Sequence, residues 1–368
     1  MHILWSGKIG GTEEYIVNLV KRLNPEIYDI RLCFLKERGE VFEEVERDGR
    51  LKIDFIGINS GYDIVGALRF AVYLLKNRFD IIHSHMRNIL STFVLSAFAL
   101  TTPKILTHHV SPGDTRFFRK NRFFYLFYGG IFKKVIAISD TVRNFLIDEL
   151  HYPYPERIVV IHNGIDTERF SYDVFLPSGI QDITGKNKII GFIGRMVYFK
   201  RPDIFVKTAN EIVKIDKNYH FVMVGDGNEL EGCKRMVIDY AIKDHFTFLG
   251  YRRDIPQILK SFNALLFTSK GEGFGIVLIE AMAMGVPVFA VNDGAVPEII
   301  RDRENGILLN TMDPKIIAKE ILEVLGNNGL INKIRLNAVN DARNRFSIEV
   351  SAKKTEKIYF ELLKRYQV

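Results

Sequence analysis

Short apolar runs alternate with longer amphipathic stretches twice over along this chain of 368 residues. In the first half, strand-like runs at 2–5, 30–35, 81–83, 104–108 and 135–138 are interleaved with helical periodicity over 12–23, 62–77 and 90–100. Alternation of this kind predicts a parallel sheet with helices on both faces. A second series of apolar runs at 189–193, 220–224, 246–249, 264–267, 286–291 and 306–308 predicts another. Between the two lies the polar stretch 166–188, with Pro177, Gly179 and Gly185, which reads as a linker. The expected fold class is therefore α/β, two Rossmann-like doubly wound domains of ordinary size, over 1–168 and 187–347, with an amphipathic helix over 348–366. Ligands of open parallel sheets lie outside the carboxyl ends of the strands, so the active site is expected in a central cleft that the two domains face.

The remaining composition narrows the class. Hydrophobic residues make up 47% of the chain and both charge signs are interspersed, as in folded soluble proteins. Cys33 and Cys233 fall in different halves, so no disulfide framework is implied and a reducing, cytoplasmic compartment is expected. The opening M-H-I-L-W-S-G has no basic segment followed by a sustained apolar core and is expected to be a strand, not a signal peptide. No window approaches the roughly 20 apolar residues that cross a bilayer. A net charge of +7 suits anionic ligands such as nucleotides or a membrane surface, and without zinc-finger spacing or an RNA-recognition signature no nucleic acid is expected.

The chemistry concentrates at residues 272–280, E-G-F-G-I-V-L-I-E. Gly271, Gly273 and Gly275 make an approach loop with little bulk, and the helix that follows leaves unpaired N–H groups around Ile276–Leu278 that attract a phosphate or sugar hydroxyl. Glu272 and Glu280 would stand about 12 Å apart at ~1.5 Å per residue, too far for one metal ion but suited to two ends of an elongated ligand. Glu280 is almost alone in an apolar helix, and a carboxylate in that setting needs a partner.

This stretch resembles the E-x7-E motif of family 4 glycosyltransferases, retaining enzymes of the two-domain GT-B fold, and the resemblance extends from Gly10 to Glu280. It implies that Glu280 binds the donor ribose and Glu272 the hydroxyls of the transferred sugar, with the N–H groups of Phe274, Gly275 and Ile276 nearby. In G-K-I-G-G-T-E-E, Gly10 and Gly11 would let backbone approach the donor phosphates; this is not a G-x-G-x-x-G fingerprint, which counts against a dinucleotide-binding dehydrogenase. In F-I-G-R-M-V-Y-F-K, Arg195 and Lys200 would clamp the diphosphate and neutralise charge growing on the leaving nucleotide. Arg201 stands where many relatives carry glycine. Tyr251 and Arg252, after F-L-G, would line the base pocket through main-chain contacts. In K-I-L-T-H-H the resemblance places His109 against the transferred sugar, while His108 alternates to the other side of the strand. The helix over 348–368 would pack back on the first domain. His83 and His85 invite a metal reading, but no third ligand is spaced to join them and no Asp-x-Asp triplet occurs, so a metal-independent enzyme with no cofactor beyond its nucleotide sugar is expected.

The reaction expected is transfer of a hexose-type sugar from a UDP- or GDP-sugar to a hydroxyl acceptor. No paired carboxylates can be assigned as nucleophile and acid at glycosidase separations, which fits a front-face route in which a donor phosphate oxygen takes the acceptor's proton. A nucleotide-sugar epimerase on the same fold and a non-catalytic nucleotide-sugar-binding protein are the alternatives. The acceptor expectation comes from residues 115–134, where Arg116, Arg119, Lys120, Arg122, Lys133 and Lys134 stand without an acidic residue among rings including Phe123 and Phe124. Either the rings are core and the basic residues its wet side, or the segment lies on an anionic membrane surface, where each charge contributes about 1 kcal/mol. The second option predicts a peripheral enzyme on the inner face of the cytoplasmic membrane. Its acceptor would be a lipid-linked or glycan precursor of envelope polysaccharide such as lipopolysaccharide.

Overall fold

The computed structural model describes residues 1–8, 10–85, 88–109, 112–114, 129–171 and 188–366. They divide into two compact units: the first takes residues 1–111, 115–164 and 348–368, the second 112–114 and 165–347.

The first unit is built on seven strands, β1 (His2–Ser6), β2 (Arg31–Glu37), β3 (Lys52–Phe55), β4 (Ile82–Ser84), β5 (Lys104–His108), β6 (Lys134–Ala137) and β7 (Ile158–Val160). They lie in the order β3-β2-β1-β4-β5-β6-β7, and all are parallel. A parallel sheet is covered on both faces, so β5 is buried throughout even though it carries Lys104, Thr107 and His108. Its flanking helices bury one stripe each. Helix Gly11–Lys21 buries Tyr15, Ile16, Leu19 and Val20, and helix Ile64–Lys76 buries Ala67, Phe70, Ala71 and Leu74. The helix Ile348–Tyr366 belongs to this unit, where Tyr15 and Ser351 share a 2.7 Å hydrogen bond and the Arg22 guanidinium donates to Glu349 at 2.7 Å.

The second unit carries six parallel strands, β8 (Lys188–Ile193), β9 (Tyr219–Val224), β10 (Phe246–Gly250), β11 (Ala264–Phe267), β12 (Val288–Val291) and β13 (Ile307–Leu309), in the order β10-β9-β8-β11-β12-β13. Helices Pro202–Ile215 and Pro314–Leu325 cover its core of Phe205, Phe221, Met223, Leu266 and Phe289.

Each sheet reverses its winding once, at β1/β4 in the first unit and at β8/β11 in the second. At such a reversal the loops leaving the two strands diverge to opposite faces and open a crevice at the carboxyl ends. Four loops are therefore singled out: those following β1, β4, β8 and β11.

Helix Glu40–Asp48 and the strands β3 and β7 go beyond the sequence expectation, and the two strands extend the first sheet to edges that apolar patterning did not mark. The basic and aromatic residues Arg116, Arg119, Lys120, Arg122, Phe123 and Phe124 lie outside the described residues, as does 172–187 of the expected linker. No helix among the described residues is long and apolar enough to cross a membrane.

Candidate active site

In the second unit, the loop after β8 carries Arg195 and Lys200, and the loop after β11 carries Glu272. The two loops are stitched together. The Thr268 hydroxyl lies 2.9 Å from the carbonyl oxygens of both Lys200 and Arg201, and Lys270 N–H donates to Phe199 O at 2.7 Å. These bonds aim the Lys200 ammonium at the Glu272 carboxylate, and the two form an ion pair with side chains 15% and 12% exposed. A pair so far removed from water needs this partnership, since either charge alone would be expensive to keep there. The Arg195 side chain is exposed and has no hydrogen-bond or ion-pair partner among the described residues, so its guanidinium is available to an anion.

Glu272 is held from a third direction by the loop after β12. Ala295 N–H donates to Glu272 O at 3.0 Å, and Asp293 Oδ1 accepts from Gly271 N–H at 2.5 Å. Gly294, at φ +58°, sits so close that a Cβ there would meet Glu272 O at 2.5 Å. Gly275, at φ +89°, turns the chain into helix Ile276–Ala283, on which Glu280 is half-buried. Ile276 opens that helix with its N–H groups directed back toward the loop. Phe274, by contrast, turns its ring inward against Phe346, centroids 6.1 Å apart, so only its main chain can serve a ligand.

The V-G-D-G run at 224–227 supports the Arg195 loop. Met196 N–H donates to Asp226 O at 2.8 Å, and a Cβ on Gly225 would sit 2.0 Å from Gly194 O. Gly225 also has φ +127°. Gly225→Ala is therefore expected to destabilise the second unit by about 3 kcal/mol or more, because backbone cannot yield as a flexible side chain would; an unchanged urea midpoint would refute this close approach. Arg252 is tied to Asp254 by two hydrogen bonds of 2.8 and 2.5 Å, which leaves Tyr251, 57% exposed, and the adjacent main chain as the accessible part of that loop.

Arg201 lies in the left-handed region at φ 49°, ψ 50°. That conformation costs a side-chain-bearing residue about 1–2 kcal/mol, and glycine nothing comparable. The guanidinium pairs with both oxygens of Asp203, at 2.9 and 3.0 Å, which offsets the cost and takes up the added charge.

In the first unit, Gly10 is the extended residue before helix Gly11–Lys21, and Glu13 folds back over the helix start, its Oε2 2.5 Å from where a Gly10 Cβ would lie. His109 follows β5, half-buried, its ring edge-on to Tyr15 with centroids 5.8 Å apart. His108 is fully buried.

His83 and His85 do gain a third histidine, from a position 81 residues earlier than His83. Parallel pairing of β1 with β4 sets His2 beside His83, and the ligand atoms of His2, His83 and His85 lie within 4.8 Å of one another. Their rings are close to parallel, however: His83 and His85 stack at 4.2 Å and 26°, His2 and His85 at 5.3 Å and 12°. Lone pairs lie in ring planes, so stacked rings do not converge on one ion as a tetrahedral site requires. The nitrogens hydrogen-bond instead, His2 Nδ1 to His85 Nε2 at 3.0 Å and His85 Nδ1 to His109 Nε2 at 3.2 Å.

Thr268, Asp203, His2 and the Asp293–Gly294–Ala295 turn are the site residues that the sequence reading missed. The turn was open to discovery, since N-D-G-A closes the strand next to β11 and so sits at the same sheet edge as Glu272.

Two doubly wound parallel sheets, each reversing once with ligand-type loops at the reversal, define the GT-B class of glycosyltransferases. Residues 9–169 match the family model described as Glycosyltransferase Family 4, and residues 178–345 the one described as Glycosyl transferases group 1, so the chain belongs to this family of glycosyltransferases and is a transferase enzyme. An uncharacterized glycosyltransferase of Methanocaldococcus jannaschii is 26% identical, the alignment covering 96% of this chain and 95% of that one. The UDP-Gal:alpha-D-GlcNAc-diphosphoundecaprenol alpha-1,3-galactosyltransferase of Escherichia coli is 23% identical over 98% and 96%. Among solved structures, Anabaena HepE in complex with UDP and glucose superposes with a TM-score of 0.82 at 21% identity, over 97% of this chain and 98% of that one.

Proposed function

We propose that the enzyme moves a hexose-type sugar, with retention and without a metal ion, from a UDP- or GDP-sugar to a hydroxyl of a lipid-linked or glycan acceptor in envelope polysaccharide synthesis. The observation that carries this reading is the Lys200–Glu272 pair at the reversal of the second sheet, flanked by the exposed Arg195 and the glycine-opened helix start. Arg195 and Lys200 would take the diphosphate, as cations placed where leaving-group charge develops. Lys200 then exchanges part of its attraction to Glu272 for phosphate, freeing carboxylate oxygens to accept from sugar hydroxyls. Glu280 would bind the ribose, the main chain at Tyr251 the base, and His109 the transferred sugar. The relatives support the substrate class: the Escherichia coli enzyme is named for UDP-Gal and a diphosphoundecaprenol-linked acceptor, and HepE was crystallised with UDP.

Incubation with a panel of UDP- and GDP-sugars in EDTA is expected to give slow release of nucleoside diphosphate from one of them. Glu280→Ala should raise the donor KM about tenfold, the equivalent of ~1.4 kcal/mol of binding, while Glu272→Ala should chiefly lower kcat. Wild-type kinetics in both variants, or activity that EDTA abolishes and manganese restores, would refute the reading; label recovered as a free epimerised sugar would make it an epimerase.

Peripheral membrane attachment at the cytoplasmic face is part of the same proposal. It is supported by the basic and aromatic run around Arg119, Lys120 and Arg122, and by helix Ile64–Lys76, which exposes Val65, Leu68, Val72 and Leu75 at 64%, 59%, 48% and 67%. Such a face is larger than scattered surface apolar residues require. Co-sedimentation with anionic vesicles is expected to fade with salt and to be lost when Arg119, Lys120 and Arg122 are all changed to glutamate. Binding indifferent to lipid charge would remove the membrane from the proposal.

A further inference from the structure

The short turn Pro112–Asp114 belongs to the second unit, although the chain on either side of it belongs to the first. Gly113 is fixed there through both of its main-chain groups. Its N–H donates to Gly271 O at 2.9 Å, and its carbonyl oxygen accepts from the Tyr198 hydroxyl at 2.7 Å. Backbone lies directly on backbone: a Cβ on Gly113 would stand 2.7 Å from Lys270 O, and one on Gly271, at φ +63°, would stand 2.5 Å from Gly113 N. Glycine at both positions is what allows so close an approach.

Both partners of Gly113 adjoin the Lys200–Glu272 pair. Tyr198 opens the helical turn Tyr198–Lys200 in the loop after β8, and Gly271 immediately precedes Glu272 in the loop after β11. The contacts therefore close on themselves: Tyr198 to Gly113, Gly113 to Gly271, Glu272 to Lys200, and Lys200 back to Tyr198 along one turn. Gly271 is gripped from two sides, its N–H donating to Asp293 and its oxygen accepting from Gly113. The Tyr198 ring is 56% exposed, so burial in the core does not account for the residue, whereas its hydroxyl completes the cycle.

We propose that Tyr198 and Gly113 are positioning residues for Glu272. The inference rests on the function proposed above, in which Glu272 serves the transferred sugar. Once Lys200 gives part of its attraction to a diphosphate, the ion pair no longer fixes the carboxylate by itself, and the main-chain grip on Gly271 keeps Glu272 in place. A misplacement of about 1 Å is enough to cost about 10²-fold in rate, whereas an exposed hydrogen bond contributes little to stability. The brace is therefore felt in turnover and hardly in folding.

The test is Tyr198→Phe in the full chain, which removes the hydroxyl and keeps the ring. With the UDP- or GDP-sugar that the wild type turns over, kcat is expected to fall about tenfold, with donor KM changed less than twofold and the urea midpoint unchanged. Exchange of the Gly113 amide, followed by NMR on 15N-glycine-labelled protein, should quicken about tenfold as its bond to Gly271 opens more often. Gly113→Ala should lower kcat as far, and Tyr198→Phe added to Gly113→Ala or to Glu272→Ala should lower it no further, because all three act on one group. Wild-type kcat in Tyr198→Phe, or an unchanged Gly113 exchange rate, would overturn the proposal. So would a second tenfold loss when Tyr198→Phe is added to Gly113→Ala, which would mean that the hydroxyl touches substrate directly. A lowered urea midpoint with kcat intact would make the bond a structural one. Wild-type kcat in Glu272→Ala refutes the function proposed above, and it is told apart from failure of the brace because the two single variants are measured separately.

Discussion

Lys200→Ala is expected to lower kcat by about 10²- to 10³-fold, the usual effect of removing one preorganised partner for transition-state charge. The same change should also destabilise the second unit by about 3 kcal/mol, because it leaves the Glu272 carboxylate, 12% exposed, without its ammonium. These two effects come from one atom and separate cleanly by experiment. Lys200→Ala combined with Glu272→Gln removes the stranded charge, so the urea midpoint should recover while kcat does not. Loss of stability without loss of turnover at saturating donor would make the pair a structural ion pair and would refute its part in transfer.

Acid should unfold the first unit steeply. His2, His83 and His85 are held neutral in the folded chain, chiefly by burial, whereas an unfolded histidine takes a proton near pH 6.5. Above pH 6.5 neither state binds these protons and stability is flat. As the pH falls below 6.5 the unfolded chain binds protons that the folded chain refuses, so stability drops by about 1.4 kcal/mol per pH unit per histidine, or about 4 kcal/mol per unit for three. The fall ends only below the depressed folded values. Trp5, the one tryptophan of the chain, packs against the core of this unit and reports on it alone. Urea midpoints followed by its fluorescence at pH 7.5, 6.5 and 5.5 should show little change across the first step and a large one across the second. Equal stability at all three would mean that these rings are charged in the folded state.

The parts of the fold that were legible in the sequence are those that parallel sheets bury on both faces. β11 and β12 are apolar runs with nothing else to be. β3 was not legible, because an edge strand with one neighbour needs no such run; it holds Lys52 and Asp54 among four residues and none is fully buried. At the site, Glu272, Lys200 and Gly275 could be read because chemistry and spacing coincide within one loop or one helix turn. His2 could not, since nothing local marks it. It meets His83 only because β1 and β4 become neighbours where the sheet reverses, a property of strand order and not of any segment. Thr268 was invisible for a related reason: its work is done through main-chain oxygens of another loop, and main chain leaves no trace in residue identity.

The first unit is not continuous in the chain: its last helix, Ile348–Tyr366, comes after the whole of the second unit. Synthesis from the amino terminus therefore delivers β1 to β7 long before the helix that covers them, and the second unit is complete while the first still waits. During that interval His2 and His83 lack the Tyr359 hydroxyl that each bonds in the finished protein, and Tyr15 lacks Ser351. Maturation is thus ordered backwards, the unit bearing Lys200 and Glu272 closing first and the unit bearing His109 last. A chain released early would keep the Lys200–Glu272 pair of the second unit intact while the first unit could not close its own core.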